Sequence, residues 1–387
     1  MNEQLGFYTV GTSKFESKIH ALMRATLTKE PVRWNFNNEI FERANWVREP
    51  EENLDQLYIK RARQLREKYD YLVLLYSGGS DSNNVLETFI RAGLRIDEIV
   101  TNFITDATKP ITNENPISTT ADNHNAEWEH LTKHRMPYIH KMMPGVKISN
   151  FDMSQPILDQ FKSHEDGSWI LKCREWVNPM VSGRYNIIHD INLRKQFDRT
   201  KSIGIIFGVD KPPLSISDNR LYLSFTDNVV NITPISEYIK AYDNSTVEYF
   251  YWSPDSVDIL RKQCWTMLNF LRLNKSMQAW WDSAVFNSSH PLNKQARTMK
   301  EKIMRNIIYT TWNDNWFQAA KGTLGWDNLN DRWFFDYFQD TPEFQAWKNG
   351  IDFMVKNISH DYFLMEEKRL RPMTSPMYFI GRLNLEP

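Results

Sequence analysis

The sequence is poor in cysteine: Cys173 and Cys264 are the only two among 387 residues. Two distant thiols make neither a disulfide framework, nor a CxxC redox pair, nor a cysteine-built zinc site. They suit a reducing compartment, and the expected location is the cytoplasm. An excess of charge of one sign is missing too, with 47 Lys and Arg against 48 Asp and Glu. That balance removes the broad basic surplus of a typical nucleic-acid binder and leaves only local patches. No apolar run approaches the roughly 18–20 residues a bilayer requires. The opening MNEQLGFYTVGTSKF lacks the charged-then-apolar layout of a secretory signal, so no membrane partner is expected. Glycine is sparse at 14 residues, whereas Trp, Tyr and Phe number 14, 16 and 22. With 41% hydrophobic and 25% charged residues, the composition is that of a globular chain able to bury large cores.

Hydrophobic periodicity supplies the elements. Leu54–Lys68 carries Leu54, Leu57, Tyr58, Ala62 and Leu65 at helical spacing, with its Arg and Lys residues expected mostly on a solvated face. Tyr71–Tyr76, YLVLLY, is a continuous apolar run suited to a strand buried on both faces. A helix follows, with Val85, Leu86, Phe89 and Ile90 on one side and Gly93 as its stop, and Ile96–Phe103 is the next strand. Together these form a βαβ unit. Further expectations are a helix over Asp122–Met143 interrupted at Pro137, a strand over Val146–Phe151, and helices over Gln155–Lys162 and Arg184–Lys201. Ser202–Val209 reads as a central strand closed by Pro212 and Pro213, and Arg220–Asp227 as a strand with Asn228–Thr233 as its hairpin partner. Ser253–Asn274, Pro291–Trp312, Asp331–Gln339 and Thr341–Ile358 read as helices, and Met377–Leu385 as a terminal strand. The expected fold is α/β, with a doubly wound, mostly parallel sheet over 71–240. An N-terminal helical module over 1–70 and a mainly helical, aromatic-rich region over 241–387 flank it.

Between the first strand and its helix stands Ser77-Gly78-Gly79-Ser80-Asp81-Ser82. Adjacent glycines let the backbone turn sharply and aim several N–H groups into one concavity. The helix start adds unpaired N–H groups and the positive end of its dipole. Hydroxyls complete an anion cradle at the carboxyl end of a parallel strand, where open α/β sheets bind ligands. No Gly-Lys-Ser/Thr follows, so this is not a Walker A loop.

The segment resembles the PP-loop, SGGxDS, of the N-type ATP pyrophosphatases and adenine-nucleotide α-hydrolases, matching at Ser77, Gly78, Gly79, Asp81 and Ser82. The resemblance implies a Rossmann-like (HUP) fold, ATP and Mg²⁺ as ligands, and cleavage between the α and β phosphates. By the same resemblance Ser77, Gly78, Gly79 and Ser82 hold phosphate, Ser80 and Asp81 belong to the nucleotide-binding loop, Asp81 sits near the metal or orients the loop, and backbone near Asn102 and Phe103 receives adenine. A cation must come from elsewhere. Lys211 in GVDKP opens at the same sheet edge as the loop, and Asp210 beside it is a candidate Mg²⁺ ligand or substrate-positioning group. Asp81, Lys211 and Asp210 are thus the candidate catalytic residues, with Arg220 and Arg184 as weaker phosphate-binding candidates.

Other groups carry less. His130 and His134, with Glu127 a turn earlier, have chelating spacing but no HExxH. Cys173 has basic neighbours in KCRE that favour a thiolate, against the commoner case of an inert thiol. Lys294, Arg297, Lys300, Lys302 and Arg305 read first as a solvated basic face and second as a contact for nucleic acid or a phosphorylated substrate. Neither cysteine is placed as a glutaminase nucleophile. The expected function is adenylation of a carboxylate or carbonyl oxygen of an acceptor, with release of pyrophosphate. The alternatives are a sulfonucleotide-handling protein of the PAPS reductase kind and a nucleotide-binding module without turnover whose basic C-terminal helices contact a partner or nucleic acid; a homodimer is compatible with each.

Overall fold

The computed structural model describes residues 3–104, 131–175, 177–179, 187–188, 190–191, 200–230, 244–282, 291–312, 331–364 and 369–384, with backbone alone at 282, 291–298 and 332. The chain opens with strands β1 (Phe7–Val10), β2 (Ser13–Phe15) and β3 (Val32–Asn35) and helices α1 (Lys18–Thr28), α2 (Asn38–Arg43) and α3 (Leu54–Lys68). The strands pair antiparallel in the order β2-β1-β3, so the N-terminal part is not purely helical as expected. Strands this short show too few alternations to stand out from loop.

The expected α/β core is present. β4 (Tyr71–Leu75), α4 (Ser80–Arg91), β5 (Glu98–Phe103), α5 (Met136–Met142), β6 (Lys147–Asp152), α6 (Ser154–Lys162), β7 (Ile203–Phe207) and, later, β10 (Ser245–Tyr249) build it. The sheet is five-stranded, ordered β10-β7-β4-β5-β6, with every pair parallel and helices flanking it, a Rossmann-like arrangement. Central β7 is buried at every position, as its IGIIF sequence requires. Asn53 and Gln56 cap α3 reciprocally, each side chain accepting the other's backbone N–H at 2.9 Å. Its basic face is not simply solvated. Arg61 is buried and reaches Glu248 at 2.9 Å, which also accepts from Lys68 at 2.7 Å, while Arg66 pairs with Asp97.

β8 (Leu214–Ser217) and β9 (Arg220–Leu223) form a hairpin, extended by β13 (Tyr378–Arg382) on the far side of β9. The partner of β9 therefore precedes it. Asp218 and Asn219 both hold positive φ, 51° and 56°, the two-residue turn whose twist suits a hairpin. After β9, Asp227–Val230 is a helical turn, α7, in place of the expected strand start. The rest is mainly helical: α8 (Val257–Leu273), α9 (Lys275–Asp282), α10 (Pro291–Ile308), α11 (Arg332–Phe338) and α12 (Pro342–Asn357), with a short ribbon of β11 (Phe363–Leu364) and β12 (Arg369–Leu370). The expected helix over Asp122–Met143 starts among the described residues as a π-helical turn, Leu131–Arg135, and Pro137 sits in the first turn of α5, where its missing N–H costs nothing. The expected helix at Arg184–Lys201 lies largely outside the described residues.

Aromatic richness goes into the joints. Phe225 packs against Phe36 at 5.0 Å, Phe41 at 4.8 Å and Trp252 at 5.1 Å between ring centroids, joining the N-terminal sheet to the hairpin and to the segment after β10. Phe161 meets Trp169 and Phe334, docking α11 on α6. Ring pairs of this kind add to their area burial. Among the described residues no helix is long and apolar enough to cross a membrane.

Candidate functional site

Strand order fixes where a site can form. From β4 the chain runs on to β5 and β6 on one side, whereas β7 and β10 lie on the other. The crevice between β4 and β7 is therefore the switch point of the sheet, and the loops after these two strands share it. One loop is Ser77–Ser82; the other is Gly208–Lys211.

Gly78 takes φ +78°, a conformation that favours glycine, and Gly79 is the N-cap of α4. The hydrogen bonds inside the loop are long. Gly79 N donates to Ser77 Oγ at 3.3 Å, Ser82 Oγ donates to Gly79 O at 3.3 Å, and Ser77 N donates to Ser82 Oγ at 3.4 Å. Bonds of this length are weak, so an anion competes for these groups on good terms. Ser80 is fully buried, and its hydroxyl has no hydrogen-bond partner among the described residues. Gly208 presses on the loop from the β7 side: a Cβ there would stand 2.9 Å from Ser82 N and 3.0 Å from Asp81 C and O.

Lys211 Nζ lies 2.7 Å from Asp81 Oδ1 and 3.4 Å from Asp210 Oδ1. Burial works to lower its pKa, but Asp81, Asp210 and Glu301 more than reverse this and hold the ammonium above its ordinary range. Lys211 is 9% exposed and Asp210 43%, so the pair reaches from the buried loop to solvent. Two carboxylates around one cation are the hard oxygen donors Mg²⁺ accepts, its remaining positions being filled by phosphate oxygens and water. Among the described residues no group of three or more His, Cys, Asp or Glu gathers to hold a metal ion, so these two carboxylates are the protein donors on offer there, and Lys211 occupies the place between them.

Two networks behind the loop escaped sequence reasoning. Tyr251 OH donates to Asp81 O at 3.0 Å and accepts from Asn84 Nδ2 at 2.9 Å; Tyr309 OH donates to Asp81 Oδ1, and its phenol is pushed well above its ordinary range by burial and then by Asp81. On the other face of α4, Arg135 donates to Tyr76 OH at 3.0 Å, Asn83 Oδ1 at 2.5 Å and Glu87 Oε1 at 2.6 Å, while Tyr138 OH donates to Glu87 Oε2 at 2.8 Å. Leu131, a turn before Arg135, covers Gly78. One signal was present: Ser80–Ile90 has polar residues opposite its apolar stripe yet no Lys or Arg, which suits a helix buried all round.

The remaining candidates scatter. Asn102 and Phe103 are half-buried at the carboxyl end of β5, where Phe103 O accepts from Met153 N at 2.9 Å. Arg220 is exposed at the hairpin with its guanidinium 6.0 Å from the Phe379 ring, and no described contact brings it to the loop. Arg184, His130 and Glu127 lie outside the described residues, and His134 is exposed. Cys173 is buried, and burial pushes its thiol up to about 12 in spite of Lys172, the reverse of the activation its neighbours suggested; Cys264 is buried and raised as well. In the basic stretch Lys302 is exposed, but Lys300 and Arg305 are half-buried, Lys300 donating to Leu214 O at 2.6 Å and Arg305 lying 4.9 Å from the Trp312 ring. A continuous solvated face is therefore not what those two build; the side chains of Lys294 and Arg297 lie outside the described residues. No model of a known protein family matches the chain, and no curated protein matches it.

Proposed function

We propose that the chain is an ATP-dependent adenylating enzyme of the PP-loop kind, which cleaves ATP to AMP and pyrophosphate. The observation that carries this reading is the seating of Lys211 2.7 Å from Asp81, at the crevice where the SGGSDS loop opens. The backbone N–H groups and hydroxyls of Ser77–Ser82 would hold the β and γ phosphates at the head of α4. Asp81 and Asp210 would hold Mg²⁺, which when bound offsets polyphosphate charge. Lys211 then turns its ammonium from Asp81 to the bridging and terminal oxygens of the pyrophosphate, where negative charge builds as it leaves. An acceptor oxygen attacks the α-phosphorus; the bond from that phosphorus to the α–β bridging oxygen breaks, and its electron pair departs with pyrophosphate. The acceptor is left adenylated, and a nucleophile later expels AMP. Adenine would lie toward Asn102 and Phe103, on the strand next to β4.

Incubating the protein with ATP, Mg²⁺ and a mixture of carboxylate and amide metabolites should yield AMP and pyrophosphate in equal amounts. ADP with phosphate would overturn the assignment. A reductive sulfonucleotide step is served less well, because both thiols are buried and their pKa values raised.

A further inference from the structure

Asp81 receives a donor from far outside the α/β core. Tyr309, which follows α10, donates its phenol O–H to Asp81 Oδ1 at 2.5 Å, the same oxygen that Lys211 reaches. Its ring lies 5.5 Å from Lys211 Nζ and stacks on Tyr251, with centroids 5.3 Å apart and planes 28° apart. Two residues on, Thr311 Oγ1 donates to Asn84 Oδ1 at 2.9 Å, and Asn84 Nδ2 holds Tyr251 OH. The end of α10 is thereby fastened to the first two turns of α4 through Asp81 and Asn84, with Tyr251 as the spacer between them.

The two donors on Asp81 differ in freedom. A lysine stem has four rotatable bonds and a compact charge that can be redirected to phosphate. The Tyr309 ring is buried and clamped against Tyr251, so its O–H cannot follow the phosphate. We infer that Tyr309 is a positioning residue of the loop site, keeping the Asp81 carboxylate aimed while Lys211 exchanges it for a phosphate oxygen. The C-terminal helical region thus completes the nucleotide site by supplying an orienting group to its acidic residue. This inference rests on the reading of the loop as a Mg²⁺–ATP site, and it goes further by assigning a role to a residue no loop motif contains.

The test is a double-mutant cycle in calorimetric titrations of ATP, with and without Mg²⁺, on wild type, Tyr309→Phe, Asp81→Asn and the double variant. Phenylalanine keeps the ring stack and removes only the donor, and thermal melts verify that each variant is folded. Hydrogen bonds to charged groups are worth enough that Tyr309→Phe should weaken Mg²⁺–ATP binding by roughly tenfold. Binding of metal-free ATP, which depends on the loop N–H groups, should change far less. In the Asp81→Asn background the tyrosine substitution should have almost no effect. An equal loss with and without metal, or the same loss in both backgrounds, overturns the inference and marks Tyr309 as packing alone. If wild type binds no ATP, the functional reading itself falls; if it binds ATP and the two substitutions are simply additive, this inference alone falls.

Discussion

Lys211 Nζ and Asp81 Oδ1 stand 2.7 Å apart although 130 positions separate the two residues in the chain. Their meeting follows from sheet order, since β4 and β7 are adjacent parallel strands whose carboxyl ends open side by side. The folded-state pKa of Lys211 lies above its ordinary value, so its stabilising contribution is fully present below the unfolded lysine value and fades as pH rises through the folded one. The stability difference between wild type and Lys211→Met should therefore stay flat from roughly pH 6 to pH 9 and shrink only above about pH 10.4. Urea melts across that range read it directly. The same variant should release AMP roughly a hundredfold more slowly, because the leaving pyrophosphate loses its cation. An undiminished rate would remove Lys211 from the chemistry.

Gly208 gives a test of the cradle that touches no polar group. Its missing side chain lets the end of β7 approach the backbone of Asp81 and Ser82, where a Cβ would stand at 2.9–3.0 Å. Backbone cannot swing aside as a flexible side chain does, so Gly208→Ala must displace the loop or strain the strand. Overpacking of this kind costs about 1–3 kcal/mol. The expected outcome is a lower melting temperature together with at least a severalfold loss of ATP affinity in calorimetry. A drop in melting temperature with unchanged ATP affinity would show that the nucleotide does not sit on this loop.

What the sequence reveals and what it hides divide along the range of the interactions involved. The bounds of α3 and the strand over Tyr71–Leu75 are readable because burial repeats locally, at helical spacing or as an unbroken apolar run. SGGSDS is readable because a tight turn before a helix needs glycine, here Gly78 at φ +78°. Arg61 is not readable: its place on α3 suits a solvated stripe, and Glu248 and the Tyr249 carbonyl across the fold, with Gln64 a turn away, make its burial tolerable. Arg135 likewise gains its meaning from Tyr76, which follows β4, and from Asn83 and Glu87 on α4, residues that no periodicity connects to it. Tyr309 reaches Asp81 across 228 positions, and nothing in its neighbourhood in sequence marks it as different from core aromatics. The hairpin is legible on closer terms than the expected Asn228–Thr233 partner, since Asp218-Asn219 is itself a turn signal and stands before β9.

Lys300 carries a pH signature of opposite sign. On α10 its ammonium donates to Leu214 O at 2.6 Å and lies 4.5 Å from the Trp281 ring, with Glu301 beside it in sequence. Burial lowers its pKa to about 8, and Glu301 recovers only part of that loss. A lysine depressed in the folded state destabilises the fold while both states hold the proton. That cost is relieved between the folded value and the unfolded value near 10.4, where the unfolded chain binds a proton the folded one does not. Lys300→Met, which cannot titrate, should therefore melt a few degrees above wild type at neutral pH, less whatever the lost bond to Leu214 O contributed. The advantage should shrink steadily as pH climbs from about 8 towards 10.4. Scanning calorimetry of both proteins at matched pH values gives the comparison, and a difference that stays constant over that interval would show that Lys300 holds its proton throughout.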